Sequence, residues 1–256
     1  MANVKVMTYN LRVDNTGDGI NSFTNRHERV LAMLAETQPH VIGFQECTHL
    51  MRAYLEQHMP DYAFVGCGRE RDYTGESMAI AYRKQDFVVV GVENFWLTAT
   101  PRVPGSKLGG DQSGCPRMAT VALLYHKESD KTICFCNTHL DHQGQVARQI
   151  EAALLCAALD QYDQPIVLTG DMNAKPDAPE IGILTKAMAA RGASDVTAHL
   201  GGTFHGFGRI DPERYIKIDY IFTSGNCLSC DMIPDNQEGN GLYYSDHFAI
   251  MAEIQF

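Results

Sequence analysis

Asp171 and Asn173 follow the apolar run Pro165-Ile166-Val167-Leu168 in the stretch LTGDMNAKP. In an extended chain, residues two apart point to the same side. A proton-accepting anion and a neutral amide that donates and accepts can therefore face one spot. Similar residues end other apolar stretches. Asn10 closes MTYNLR, Glu46 closes IGFQEC, and Asn137 and His139 close ICFCNTHLDH. Asp219 stands inside KIDYIF, and Asp246 and His247 introduce the last strand in YYSDHFAI. Each alone has an ordinary explanation as a turn, a cap or a satisfied core histidine. Strand interiors disfavour Asp and Asn, and a buried charge needs a partner or a metal. Their recurrence along the chain points to one cluster, provided the strand ends gather on one rim.

Carboxylate and amide oxygens suit Mg²⁺ or Mn²⁺ rather than zinc, and Mg²⁺ takes one or two carboxylates and leaves its other positions to water and phosphate. Glu46 is the best first ligand. A carboxylate beside a phosphate can accept a proton from attacking water. A histidine paired with an aspartate favours its charged form, and an imidazolium can stabilise negative charge at phosphorus. These are the parts of metal-assisted phosphoryl hydrolysis. His139 and His142 have a spacing found in some zinc sites, but the oxygen-rich surroundings favour the harder ion.

The elements that must carry these residues are strands broken by helices. Strands are expected at 4–9 and 41–45, with helices from the Asn21-Ser22 cap to about 37 and over 48–59. Hairpins are expected to pair 78–82 with 87–95 and 120–125 with 132–138. A helix over 143–162 places Val146, Ile150, Leu154 and Ala158 on one side, and another covers 180–190. Strands at 165–168, 216–222, 228–233 and 248–254 complete the set. Residues 98–117 are too rich in Gly and Pro for either element, and a loop of that length is uncommon unless it has a function. The pattern suggests two antiparallel-rich sheets packed face to face with helices outside.

The 256 residues, with 45% hydrophobic and 20% charged side chains, make one large domain with a substantial core, here taken as 1–256. No export signal and no membrane-length apolar run is visible, so a cytoplasmic protein without membrane or protein partners is expected. The eight cysteines are then free thiols. Cys227 and Cys230 have half-zinc spacing but lack a matching second pair. The formal charge of −10 and the absence of a basic run disfavour extended duplex DNA, though not a small phosphate substrate.

The segments TYNLR, GFQE, GESMAIAYRK, NTHLDH, GDMNAKPD, IDYIF and SDHFAI, in this order over residues 8–250, resemble the endonuclease/exonuclease/phosphatase superfamily that includes DNase I. The resemblance implies a four-layered α/β sandwich, two packed mixed or antiparallel sheets flanked by helices, and a divalent cation, usually Mg²⁺. It implies that Glu46 is the principal metal ligand, with Asn10 and Asp246 near the metal or its waters. Asp171 would align or deprotonate the water, and Asn173 would hold that water or a phosphate oxygen. His247 would bind the phosphate, oriented by Asp219. His139 would be a second histidine, oriented by Glu76. Arg12 stands where some relatives carry an acid. Asp246 and His247 are neighbours, so both serve one site only if the chain bends before Phe248. Arg117, whose fork suits phosphate oxygens, and Asn137 are candidate substrate contacts.

The function implied is divalent-metal-dependent hydrolysis of a phosphodiester, in a nucleotide or short nucleic acid. The alternatives are a phosphomonoesterase on a small sugar or inositol phosphate, and a non-catalytic binding module on the same fold. A lost enzyme would show gaps among Asn10, Glu46, Asp171, Asn173, Asp219 and His247, and there are none. Phe204 and Phe207 in GGTFHGFGR are candidates for stacking a base.

Overall fold

The structure is a computed structural model that describes residues 3–235 and 239–256. Among these, fourteen strands and four α-helices alternate along the chain. The first sheet is built from β1 (Asn3–Asn10), β2 (Val41–Gln45), β4 (Tyr62–Val65), β6 (Ile80–Arg83), β13 (Asn226–Met232) and β14 (Ile250–Gln255), in the order β13-β14-β1-β2-β6-β4. The second is built from β7 (Phe87–Trp96), β8 (Met118–His126), β9 (Lys131–His139), β10 (Ile166–Asp171), β11 (Ser194–Asp195) and β12 (Asp219–Thr223), in the order β11-β12-β10-β9-β8-β7. A short ribbon pairs β3 (Cys47–Thr48) with β5 (Glu76–Ser77).

Strand alternation explains the layers, because successive side chains point to opposite faces. From β1, Val4 and Val6 face inward to meet Phe135, Val167 and Ile221 of the other sheet. Met7 and Tyr9 instead join the helix-side core with Ile42, Phe44, Val30, Leu34 and Leu55. That outer layer is α1 (Phe23–Thr37) and α2 (His49–His58). On the opposite side Cys134, Cys136, Leu168 and Phe222 pack under Leu155, Leu159, Leu184 and Met188, from α3 (Gln145–Leu159) and α4 (Pro179–Ala190). The result is the four-layered sandwich that the motifs imply.

Three expectations are corrected. β6 and β7 are consecutive but do not form a hairpin. β6 pairs with β2 and β4 in the first sheet, whereas β7 pairs with β8 in the second. The chain crosses between the sheets at their junction, a change that alternation within each strand does not reveal. The buried face of α3 is also one residue off. Ala147, Glu151 and Leu155 point inward, while Val146 and Ile150 are 59% and 42% exposed. The expected strand at 216–222 starts only at Asp219, because Ile216 is used in an isolated bridge to Phe204.

All eight cysteines are free, and among the described residues Cys227 and Cys230, on β13, belong to no cluster that could hold a metal ion. Among the described residues no helix is long and apolar enough to cross a membrane.

Candidate active site

The sheet register brings the polar strand ends together. Asn10 stands opposite Gln45, the residue before Glu46. In the other sheet Asp171 stands opposite His139 on one side and Asp219 on the other. Hydrogen bonds then join the two sheets at this end. Asn10 Nδ2 donates to Asp171 Oδ2 at 3.0 Å and to Glu46 Oε1 at 3.2 Å. Glu46 Oε2 accepts the Val13 backbone N–H at 2.8 Å. Glu46 and Asn173 both have a positive φ, 57° and 48°, a conformation that costs energy in non-glycine residues and concentrates at functional sites.

His247 and Asp219 form the most polarised pair. His247 Nδ1 lies 2.9 Å from Asp219 Oδ2, and its Nε2 lies 3.8 Å from Asp171 Oδ2. Burial by itself would depress the imidazole, but the Asp219 carboxylate, with Asp171 and Asp246 behind it, overcomes this and raises it to about 10. The ring is therefore an imidazolium at neutral pH. The same Asp219 oxygen accepts from Thr203 Oγ1 at 2.5 Å. Asp171 is pushed up to about 7, by burial first and by Asp219 next. A carboxylate poised near neutrality is suited to take a proton from water.

His139 behaves in the opposite way. Asn173 Nδ2 donates to its Nε2 at 2.9 Å and to the Leu140 carbonyl at 3.0 Å. Burial, together with the guanidinium groups of Arg117 and Arg69, holds this ring well below the ordinary histidine range. Two histidines thus flank Asp171, one charged and one neutral. Asn173 is fixed in turn by its own N–H, which donates to Asp171 Oδ1 at 2.9 Å.

Asp246 does come to the same place, because the chain bends before His247, whose bridge to Phe204 begins there. Its carboxyl is pushed up by burial, with Glu46 adding to the rise, and Arg12 Nε lies 3.8 Å from its Oδ2. Glu76 is also pushed up, by burial first, against the pull of Arg69, with Glu46 adding to the rise. Carboxylates that destabilise one another in this way fit a hard divalent cation, which would relieve the repulsion. A different trio, Asp171, Asp219 and His247, has ligand atoms within 4.8 Å of one another and could also hold an ion. There His247 Nδ1 is already bonded to Asp219, so a cation would have to displace a firmly held proton.

Several sequence assignments change. Asn10 bridges the Asp171 and Glu46 carboxylates through its Nδ2, while its Oδ1 accepts the Arg12 N–H at 2.8 Å. Glu76 does not orient His139, since its carboxylate pairs with Arg69 at 2.8 Å. Asn137 is not a substrate contact. It is fully buried between the sheets, where its amide bonds to Gln45, Thr169 and the carbonyls of Phe44 and Ala79. Gly43 makes room for it, as a Cβ there would stand 2.2 Å from Thr169 Oγ1 and 2.7 Å from Asn137 Oδ1. Arg117 is buried too, with Nε 3.5 Å from Asp141 and Nη2 2.7 Å from His142 Nδ1, while its Nη1 is buried without a hydrogen-bond partner. The His142 contact removes the paired-histidine zinc reading, because His142 is turned to Arg117. Phe207 is buried against Tyr243 and cannot stack a base, while Phe204 packs its ring 4.9 Å from His247.

Three supporting residues escape a reading of the sequence. Arg26 is fully buried on α1 and donates to the carbonyls of Asn21, Leu11, Arg12 and Tyr244, tying the loop after β1 to the segment before Asp246. Asp141 accepts from the Ser113 hydroxyl and from the N–H groups of Ser113, Gln143 and Gly144 and so pins the long loop to the rim; these bonds, the hydroxyl's first, outweigh its burial and hold it down at about 2. Arg69 neutralises Glu76. In a sequence, Arg26 and Arg69 look like surface charges, whereas the Asp between the histidines of NTHLDH is at least a visible signal.

The family model described as Endonuclease/Exonuclease/phosphatase matches residues 7–247. A curated relative, an uncharacterized protein of Acanthamoeba polyphaga mimivirus, is 26% identical over 168 residues, 60% of this chain and 60% of that protein. Among solved structures, the endonuclease/exonuclease/phosphatase from Bacteroides vulgatus is 30% identical, with 100% of each chain covered and a TM-score of 0.91. A mannosyl-6-phosphatase of Bacteroides thetaiotaomicron VPI-5482 is 27% identical, with 99% of this chain and 100% of that chain covered and a TM-score of 0.88.

Proposed function

The chain belongs to the endonuclease/exonuclease/phosphatase family, whose members are hydrolases acting on phosphoester bonds, and we propose that it hydrolyses a phosphomonoester of a small neutral alcohol by direct attack of water. The observation that carries this reading is the buried Asp219–His247–Asp171 array, with a 2.9 Å pair on one side of the imidazole and a 3.8 Å approach on the other. Asp171, fixed by Asn10 and Asn173, directs the water and takes its proton. His247, kept charged by Asp219, neutralises the charge that develops on the phosphoryl oxygens, where such a group typically contributes about 10²–10³ in rate. Asn173 holds a phosphoryl oxygen or the water. Glu46 and Asp246 would hold a divalent cation, Mg²⁺ or Mn²⁺, which when bound supplies Lewis-acid stabilisation of the phosphate.

Between diester and monoester, the monoester is supported by the likeness to the 27% identical mannosyl-6-phosphatase. The net charge of −10 also disfavours a long nucleic acid. The test is a panel of phosphate esters with Mg²⁺ and Mn²⁺, run beside Glu46→Ala. Sugar phosphates and p-nitrophenyl phosphate should release phosphate, and bis-p-nitrophenyl phosphate should turn over at least tenfold more slowly. A faster diester would sink the monoester assignment, and metal-independent turnover unaffected by Glu46→Ala would sink the role of Glu46.

A further inference from the structure

A cavity of about 410 Å³ lies where the first turns of α3 and α4 meet the loop after β10, and Asn173 stands in its wall. It therefore shares a residue with the hydrolytic cluster, because Asn173 Nδ2 donates to His139 Nε2 and the Asn173 N–H donates to Asp171 Oδ1. The chain is fixed where it borders the cavity. The Met172 N–H donates to the Ile218 carbonyl at 2.7 Å, and the Tyr220 hydroxyl donates to the Ala174 carbonyl at 2.8 Å. Arg148 and Glu180, both lining residues, form an ion pair at 2.6 Å, and Arg148 Nη1 also donates to the Asp141 carbonyl at 3.0 Å. Glu180 is fully buried, and its Oε2 has no hydrogen-bond partner. Gln145, Lys175 and Asp177 line the cavity from exposed positions, and Ile216 and Ile218 add an apolar strip.

The chemistry of this wall selects its occupant. Its charged residues are two cations, Arg148 and Lys175, and two anions, Asp177 and Glu180, so it offers no net positive charge to a second phosphate. Among the described residues no aromatic side chain lines it, so a base or another flat ring finds no stacking partner. The wall offers donors on Lys175 and Gln145 and acceptors on Asp177 and Gln145 instead. A hydroxyl group both donates and accepts, and a sugar carries several of them around a C–H face that suits the isoleucine strip. We propose that this cavity receives the alcohol part of the ester, with the phosphoryl group at Asn173, and that the alcohol is a sugar or another polyol. This inference rests on the phosphoesterase reading and narrows its neutral alcohol to a polyhydroxylated one.

The test is calorimetric binding of three non-hydrolysable phosphonates to the full chain with Mg²⁺: methylphosphonate, benzylphosphonate and a hexose 6-phosphonate. Each is measured on the wild type and on the double variant Lys175→Ala, Asp177→Ala. Both side chains are exposed, so the substitutions leave the fold intact, and together they leave the net charge unchanged. Two or more hydroxyl hydrogen bonds should make the hexose phosphonate bind about tenfold or more tightly than methylphosphonate, and more tightly than benzylphosphonate. In the double variant the ratio of hexose phosphonate to methylphosphonate should fall to about threefold or less. Equal wild-type affinities, tighter binding of benzylphosphonate than of the hexose phosphonate, or a ratio that survives the double substitution overturn the polyol site and leave the phosphoesterase reading standing. If none of the three phosphonates binds, the phosphoesterase reading falls and this inference falls with it.

Discussion

Asn10 and Asp171, 161 positions apart and on different sheets, are joined by a 3.0 Å hydrogen bond from Nδ2 to Oδ2. The same nitrogen also reaches Glu46. One amide therefore holds the proposed base against the proposed metal ligand, across the two sheets. Asn10→Ala should lower kcat by about 10². It should also cost about 1–3 kcal/mol of stability, since two carboxylates lose a buried donor. Rate measurements paired with urea unfolding separate the two effects. An unchanged kcat in a folded variant would show that the bridge has no part in catalysis.

The two histidines should titrate at opposite ends of the pH scale. In the metal-free protein, NMR of the imidazole resonances should place His247 at about 10 and keep His139 neutral well below the ordinary 6.5. The sign for stability follows from the raised value of His247. Its contribution is fully present below the ordinary value and is lost as pH rises through about 10. Asp219→Asn removes the charge that raises the imidazole, so its titration should move down toward neutrality. A His247 that titrates near 6.5 in the wild type would contradict the pairing.

Arg26 tests the support beneath the site. Its guanidinium satisfies four carbonyls in a buried position. Arg26→Leu should cost about 3 kcal/mol or more, because the carbonyls lose their partner and the replacement cannot supply one. Thermal unfolding reads this directly, and a loss below about 1 kcal/mol would show that the loops after β1 and before Asp246 hold without it.

The ends of the strands were legible because Asp, Asn and His are out of place beside apolar runs, and the sandwich was legible from its motifs. The crossing from β6 to β7 was not, since alternation describes one strand's two faces and is silent about which sheet receives it. Asn137 looked like Asn173 in the sequence. What separates them is Gly43 on another strand, whose missing side chain lets Asn137 lie between the sheets. Glu76 likewise resembled a partner for His139 until Arg69, seven residues earlier, claimed it. Buried ion pairs and inter-sheet contacts depend on which segments meet, and that information lies in the tertiary packing.

Phosphate release by Asp171→Asn, measured with Mg²⁺ on the best substrate of the ester panel, tests the central claim most directly. The substitution preserves size and a hydrogen-bonding oxygen but removes the proton-accepting charge. With native circular dichroism retained, the rate should fall by about 10² or more. A folded Asp171→Asn protein that hydrolyses the ester at the wild-type rate would contradict the account.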